Sequence, residues 1–203
     1  IGGGANTIPD YPIILTIKSI TDSGEEVKKY NYIDQISILQ GYLKAQIEDK
    51  AVMYATTPVT FSFNNQKEFN LNKGLVYLEI KKDFPLVLSN GNLVVNPGSK
   101  IILDSRDSSL IFISGEKDFG NNKTATTNNV IIKDTNGFGI YQFDRNILRS
   151  DKSYVDLLVT LKSWGTLPEE LSKVDPPEIT IDKNDPLITD KDTISLRAQT
   201  DPG

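Results

Sequence analysis

Short apolar segments separated by turn-forming residues repeat along the chain and constrain its fold more than any other feature. In KDTNGFGIYQF, residues 133–143, Asn136-Gly137 is a tight-turn sequence and the residues after it alternate between two faces. Segments of this kind, bounded by Gly, Pro, Asn and Asp, predict an all-β antiparallel sandwich. We predict strands over residues 13–20, 36–48, 59–63, 75–81, 86–88, 93–95, 100–103, 110–114, 129–133, 139–143 and 154–162.

Helix signals are few. Pro168 followed by Glu169 and Glu170 predicts a single turn, because Pro suits the first helical position and acids suit the first turn. Asp175-Pro176-Pro177 cannot continue a helix. We therefore predict a linker over residues 164–177.

The sequence after this linker resembles the opening of the chain. Both stretches have proline before an alternating apolar strand, then an acidic turn and a second strand. The C-terminal stretch reads PPEITIDKNDPLITDKD and TISLRAQTD, and the N-terminal stretch reads YPIILTIKSITDSGEEV and IDQISILQGYLKAQIED. This predicts that residues 178–203 are the opening strands of a second domain, since about thirty residues bury too little surface to fold alone. There are two alternatives. The similarity arises by chance between β-rich stretches, or these C-terminal strands add to a neighbouring copy and so produce homo-assembly.

Charge and composition exclude several classes of function. The chain has 22 Lys and Arg against 27 Asp and Glu, and this net charge of −5 argues against a nucleic acid partner. There is no Cys and no His, so disulfides, thiolate metal sites and imidazole bases are excluded. We predict a non-catalytic protein without catalytic residues or a cofactor. An enzyme or sugar-binding module on a β-sandwich is an alternative, because the fold does not decide function. No run approaches the roughly 18 apolar residues of a transmembrane segment.

The first residues, IGGGANTIPDY, lack the basic and apolar regions of a signal peptide. We expect residues 1–11 to form a flexible tether. A Gly-rich tether also suits a lipid anchor on a Cys that precedes this sequence, and a flexible boundary segment is the alternative.

Carboxylates are the remaining candidates for metal binding. Asp175, Asp182 and Asp185, between the two predicted units, are weak calcium candidates, and Asp104 with Asp107 forms a second cluster. Calcium needs about six to eight oxygen ligands at once. Neither cluster has the Asp-x-Asp-x-Asp-Gly spacing, and the Lys or Arg within each competes for the carboxylates. Solvated turns are favoured over calcium sites.

Aromatic residues give two further expectations. Trp164, the only tryptophan, is expected to pack at one end of the domain rather than to stack on a ligand. Tyr30, Tyr32, Tyr42 and Tyr54 either form an exposed recognition surface or stand half-buried at sheet edges.

Three sequence motifs point to a family. Asp134-Thr135-Asn136-Gly137 precedes an alternating strand, Asp22-Ser23-Gly24 leads through two acids to Val27, and Pro58-Val59-Thr60-Phe61 opens another strand. In this order they resemble bacterial immunoglobulin-like repeats of the invasin and intimin type. The resemblance implies that the residues of these motifs belong to the scaffold, namely Asp134, Asn136, Gly137, Asp22, Gly24, Pro58 and Phe61. The resemblance implies an Ig-like sandwich over residues 12–163, closed by a strand at 154–160.

The chain departs from this family by a large β-rich insertion at about residues 64–129, which we expect to carry the individual contacts. The resemblance implies a bacterial cell-surface or secreted protein, a stalk, adhesion or interaction module whose partner is a protein or a surface glycan. A self-assembling pilus, filament or phage subunit is the alternative. Within the alternating strand we expect Tyr141 and Phe143 to face inward, because they are more apolar than Ile140 with Gln142.

Overall fold

The computed structural model describes residues 11–20, 24–89, 91–134 and 137–172, and most of these lie in β-strands. The strands are β1 (Ile13–Lys18), β2 (Glu25–Tyr30), β3 (Ile36–Ile38), β4 (Tyr42–Ile47), β5 (Ala51–Ala55), β6 (Val59–Phe63), β7 (Phe69–Lys73), β8 (Leu75–Ile80), β9 (Phe84–Leu88), β10 (Gly91–Val95), β11 (Lys100–Asp104), β12 (Ser109–Ser114), β13 (Lys117–Asp118), β14 (Thr124–Ala125), β15 (Asn129–Asp134) and β16 (Gly137–Gln142). The helices are α1 (Ile147–Ser150), α2 (Lys152–Ser163) and α3 (Glu169–Ser172).

The strands form two main sheets. The large sheet has the order β16-β15-β12-β11-β8-β5-β4-β1-β2 and is antiparallel throughout. The small sheet has the order β10-β9-β7-β6-β3, with one parallel contact between β7 and β9. A two-stranded ribbon, β13-β14, completes the described strands. The prediction of an all-β fold with layered antiparallel sheets is confirmed.

Side-chain alternation divides the apolar residues into two cores. In β5, Ala51, Met53 and Ala55 join side chains from both sheets in one cluster, which we call the sandwich core. Val52 and Tyr54 point to the opposite face of the large sheet. There they join side chains of the helices in a second cluster, the helix-face core. All five residues of β5 are buried because this strand is covered on both faces.

The predicted closing strand at 154–162 is wrong, because this segment forms α2. Asp151 caps the helix: its Oδ1 accepts hydrogen bonds from the backbone N–H groups of Ser153 at 2.8 Å and Tyr154 at 3.3 Å. Tyr154, Leu157 and Leu161 lie three to four residues apart and are buried together in the helix-face core. The apolar period in this segment is therefore helical, although its Val and Leu content resembles a strand.

The predicted linker over residues 164–177 is wrong for its described part. Trp164 and Leu167 pack against the helix-face core, and Leu171 is buried in it. The single helical turn predicted after Pro168 is present as α3. Residues 173–203, with the predicted second domain, lie outside the described residues, as do residues 1–10 of the predicted tether.

Residues 64–129 are not an addition to a complete sandwich, and that expectation is wrong. They form β7 to β14, which include the central strands β8, β11 and β12 of the large sheet. They also supply β7, β9 and β10, three of the five strands of the small sheet. This stretch is therefore part of both layers of the sandwich.

The scaffold motifs lie at strand ends. The pairs Asp134↔Gly137 and Lys18↔Glu25 close the β15–β16 and β1–β2 hairpins, and Gly137 has φ +121°. Asn136 and Asp22 lie outside the described residues, while Gly24 is exposed just before β2. A cis Thr57–Pro58 bond precedes β6, in which Phe61 is fully buried.

The prediction that Tyr141 and Phe143 both face inward is confirmed for Phe143 and wrong for Tyr141. Phe143 is buried in the helix-face core, whereas Tyr141 is 53% exposed. Ile140 instead packs at the border of the sandwich core. The two aromatic residues do point to the same face, but α2 and its neighbours cover only Phe143.

In the described part of the chain, no helix is both long and apolar enough to cross a membrane.

Candidate interaction site

Among the carboxylates proposed as calcium ligands, only Asp104 and Asp107 lie within the described residues, and they do not form a metal site. Asp175, Asp182 and Asp185 lie outside the described residues. Asp107 accepts a hydrogen bond from the backbone N–H of Ser109 at 3.1 Å, which is a turn contact. Across the described ranges, no three acidic side chains are grouped so that they could hold a metal ion.

Asp104 belongs to a salt-bridge cluster around Arg106. Arg106 donates from Nε and Nη2 to the Asp104 carboxylate at 3.0 and 2.6 Å, and from Nη1 to Asp151 Oδ2 at 2.6 Å. This guanidinium holds the pKa of Asp151 below its usual range. Burial, with the nearby Asp104 carboxylate, raises the pKa of Tyr154. The cluster ties the end of β11 to the start of α2, and its carboxylates are already occupied by structural partners.

A second polar group lies where α3 meets the large sheet. Tyr77 is fully buried there, and burial with the nearby Glu79 and Glu170 raises its pKa. Lys100 approaches Glu170 at 3.5 Å, and Arg145 donates to the backbone carbonyl of Glu170. These contacts fasten α3 to the sheet.

The tyrosines do not share one surface. Tyr30 and Tyr32 pack at the border of the sandwich core, and Tyr32 meets Phe63 edge to face at 4.9 Å. Tyr54 is buried on the opposite face, with its ring 6.1 Å from that of Tyr77. Trp164 packs on the helix-face core as predicted, and Lys18 Nζ lies 5.8 Å from its ring centre.

An open cleft lies at the end of the large sheet where β1 and β2 form their hairpin. Its volume is about 730 Å³. We call it the hairpin cleft. Its lining residues are Ile17, Ser19, Ile20, Gly24, Glu25, Glu26, Leu39, Gln40, Gly41 and Thr57.

Gly41 allows the loop before β4 to lie directly against β1. It has φ +96°, and a Cβ at this position would lie 2.7 Å from the Lys18 carbonyl oxygen and 3.0 Å from Ile17 Cγ2. Thr57 fixes the same loop, because its Oγ1 donates to the Gly41 carbonyl at 3.0 Å. The loop that carries Leu39 is therefore held by its close approach to β1 and by the Thr57 side chain.

The walls of the hairpin cleft are apolar and its rim is acidic. Ile20 is 63% exposed and Leu39 is 74% exposed, while Ile17 is partly buried in the sandwich core. Glu25 and Glu26 are exposed at the rim, and Lys28 approaches Glu26 at 3.3 Å. The arrangement can take up an apolar side chain that has a positively charged neighbour.

Sequence reasoning missed this site. It treated the β1–β2 turn as scaffold and placed the individual contacts in residues 64–129. One signal was present: Ile20 and Leu39 are large apolar residues directly beside turn sequences, although the predictions placed them within strands 13–20 and 36–48. Which two turns meet in space depends on the pairing of β1 with β4, and the sequence does not state that pairing.

Comparison of this chain with protein-family models, curated proteins and solved structures finds no match. The function is therefore argued from the geometry and chemistry of the chain itself.

Proposed function

We propose that this chain is a non-catalytic interaction module of a bacterial cell-surface or secreted protein, and that it binds a partner protein at the hairpin cleft. The partner places an apolar side chain between Ile20 and Leu39 and a basic side chain beside Glu25 and Glu26. One observation carries this proposal: two highly exposed apolar residues flank a single cleft with an acidic rim.

The apolar part of the proposal depends on how Ile20 and Leu39 are placed. Single exposed apolar residues are common on proteins and need no partner. Here two of them line the same cleft, with Ile17 between the sheet and the cleft floor. The volume of about 730 Å³ lies within the range of roughly 300–1,000 Å³ found for binding pockets. Burying either side chain against a partner would stabilise the complex by about 1.5–3 kcal/mol before the costs of association.

The acidic residues of the hairpin cleft favour a partner with a basic residue next to its apolar side chain. Glu25 and Glu26 bring two carboxylates to the rim, in a chain whose net charge is −5. A basic segment is attracted to such a surface, and the attraction raises the association rate more than it lowers the dissociation rate.

A protein partner is favoured over a surface glycan. Sugar rings bind against the faces of aromatic side chains, and the described residues that line the hairpin cleft include no Trp, Tyr or Phe. Its described polar side chains are the carboxylates of Glu25 and Glu26, the amide of Gln40 and the hydroxyls of Ser19 and Thr57, beside the aliphatic Ile17, Ile20 and Leu39. This is the chemistry of a site for an apolar side chain of a peptide segment.

The two polar clusters elsewhere in the described chain support a non-catalytic role. The Arg106 cluster is closed by its own ion pairs, and the group around Glu170 fastens α3. Both serve the attachment of helices to the large sheet. The bacterial surface location is supported by the resemblance of the Asp22, Pro58 and Asp134 motifs to Ig-like repeats.

A random peptide library displayed on phage provides the test, with selected peptides then titrated by fluorescence anisotropy. We expect selection of peptides in which Leu, Ile, Met or Phe stands next to Lys or Arg. Leu39→Ser and Glu25→Lys should each weaken binding about tenfold or more. Val159→Ser is the matched control, because Val159 is 47% exposed on α2 and does not line the cleft.

Two results would contradict the proposal. One is selection of peptides without the basic and apolar pattern. The other is equal affinity of the Leu39→Ser variant and the Val159→Ser control for the selected peptides.

A further inference from the structure

The four edge strands of the two main sheets differ in how they are protected against pairing with another strand. Edge strands are normally blocked by charges, prolines or short length. In β2, EEVKKY, four of six residues are charged, and β3 has only three residues. In contrast, β16 is GFGIYQ and β10 is GNLVV, and neither contains a charge or a proline. No described strand pairs with the outer edge of β16 or β10.

The two unprotected edges lie on the same side of the sandwich. A Cβ on Gly91 of β10 would lie 3.1 Å from Phe138 Cζ of β16, so these strands approach closely across the two sheets. Phe138 and Ile140 are only partly buried at the border of the sandwich core. A further strand beside β16 would cover them, because alternate side chains of neighbouring strands share one face.

We propose that β16 accepts the C-terminal segment of a second copy of this chain as an added strand. The segment is residues 178–182, EITID, in which Ile179 and Ile181 alternate with polar residues. Main-chain hydrogen bonds supply affinity in strand addition, and alternate side chains set the register. Ile179 and Ile181 would extend the partly covered row of Phe138 and Ile140.

The described chain ends within reach of this edge. It ends at Ser172 in α3, and Leu171 of this helix packs with Ile111 and Ile113 of β12. Only β15 separates β12 from β16, so the open edge is about 10 Å away at the usual strand spacing. The intervening residues 173–177 span up to about 17 Å when extended.

The sequence of these intervening residues favours a neighbouring copy over the same chain. Asp175-Pro176-Pro177 restricts the backbone to extended conformations, since each proline fixes its φ angle and disfavours a turn at the residue before it. A stiff extended connection disfavours a reversal that would return residues 178–182 to their own sheet. Reciprocal exchange between two copies would give a symmetric dimer.

Sedimentation velocity and light scattering on the full chain test the proposal. We expect concentration-dependent association to twice the mass of one chain. Ile179→Pro combined with Ile181→Pro should leave a monomer, because proline cannot donate to the neighbouring strand. The matched control, Ile194→Pro with Leu196→Pro, changes a similar alternation further along and should still associate. Leu39→Ser should also still associate, which separates this proposal from the hairpin cleft.

Hydrogen exchange locates the contact. On association of the full chain, backbone amides of residues 137–142 should gain protection relative to the Ile179→Pro, Ile181→Pro variant, and those of residues 25–30 should not. A synthetic peptide of residues 174–185 should compete and return the full chain to monomers. Two results would overturn the proposal. One is a full chain that stays monomeric, even if the segment docks on its own sheet. The other is association that protects β2 instead of β16.

Discussion

Arg106 illustrates at the residue scale how one side chain connects distant parts of the sequence. It pairs with Asp104 two residues earlier and with Asp151 forty-five residues later. Asp104 is buried, so its charge requires this partner, whereas Asp151 is partly exposed and also caps α2. Asp151 therefore has two functions, as an ion-pair partner and as a helix cap, and these functions can be separated by substitution.

Asp151→Asn should remove the ion pair and keep the cap, since Asn is also a good N-cap residue. We expect it to lower the free energy of unfolding by about 1 kcal/mol at neutral pH, discounted for the exposure of the pair. The pKa of Asp151 is depressed in the folded protein, so its contribution is present above the unfolded pKa of about 3.9 and is lost as pH falls through the folded value. The difference between wild type and variant in urea denaturation should therefore vanish in strong acid.

Two further variants check this separation. Asp151→Ala also removes the cap, and we expect a further loss of about 1 kcal/mol that persists at low pH. Asp156→Asn changes an exposed ion pair with Lys152 on the same helix, 2.7 Å long, and should have little effect at any pH. A pH-independent effect of Asp151→Asn would show that the ion pair does not stabilise the fold.

Helix α2 shows at the element scale where sequence patterns were informative and where they were not. Most strands followed from alternation and turn residues, since both are local properties. The segment VDLLVTL has the composition of a strand, and the cap residue of the helix, Asp151, lies four residues before it. The helix forms because Tyr154, Leu157 and Leu161 cover the outer face of the large sheet, which is a tertiary contact. The same reason explains why the hairpin cleft was not predicted: its two walls meet only after β1 pairs with β4.

Leu157 and Val159 on α2 provide a direct test of this orientation. Leu157 is fully buried in the helix-face core, and Val159 is 47% exposed. We expect Leu157→Ala to lower the free energy of unfolding by about 2–5 kcal/mol through lost burial and a residual cavity. Val159→Ala should change it by less than about 0.5 kcal/mol, because it removes no buried contact. Urea denaturation followed by circular dichroism measures both. Equal effects of the two substitutions would mean that this segment is not an amphipathic helix on the sheet.

At the scale of the molecule, the described residues form three layers, the small sheet, the large sheet and the helices, and the large sheet contributes to both cores. Consecutive parts of the sequence alternate between the sheets: β4 and β5 lie in the large one, β6 and β7 in the small one, and β8 in the large one again. From β3 to β11 the chain therefore alternates between the two sheets, and the layers depend on each other for burial. Such a molecule is expected to unfold as one unit through its central strands.

Removal of residues 64–129 tests this dependence at the scale of the molecule. The deletion takes away β8, β11 and β12, which join β5 to β15 in the large sheet, and three strands of the small sheet. Side chains of both cores, including Phe69, Leu78 and Ile102, are lost with them. We expect the deleted chain to show no cooperative urea transition by circular dichroism. A chain that ends at Ser172 keeps every described strand and helix, and we expect it to unfold cooperatively with a midpoint close to that of the full chain. A cooperative transition in the deletion variant would mean that β1 to β6 with β15 and β16 form a complete sandwich and that residues 64–129 are an addition to it.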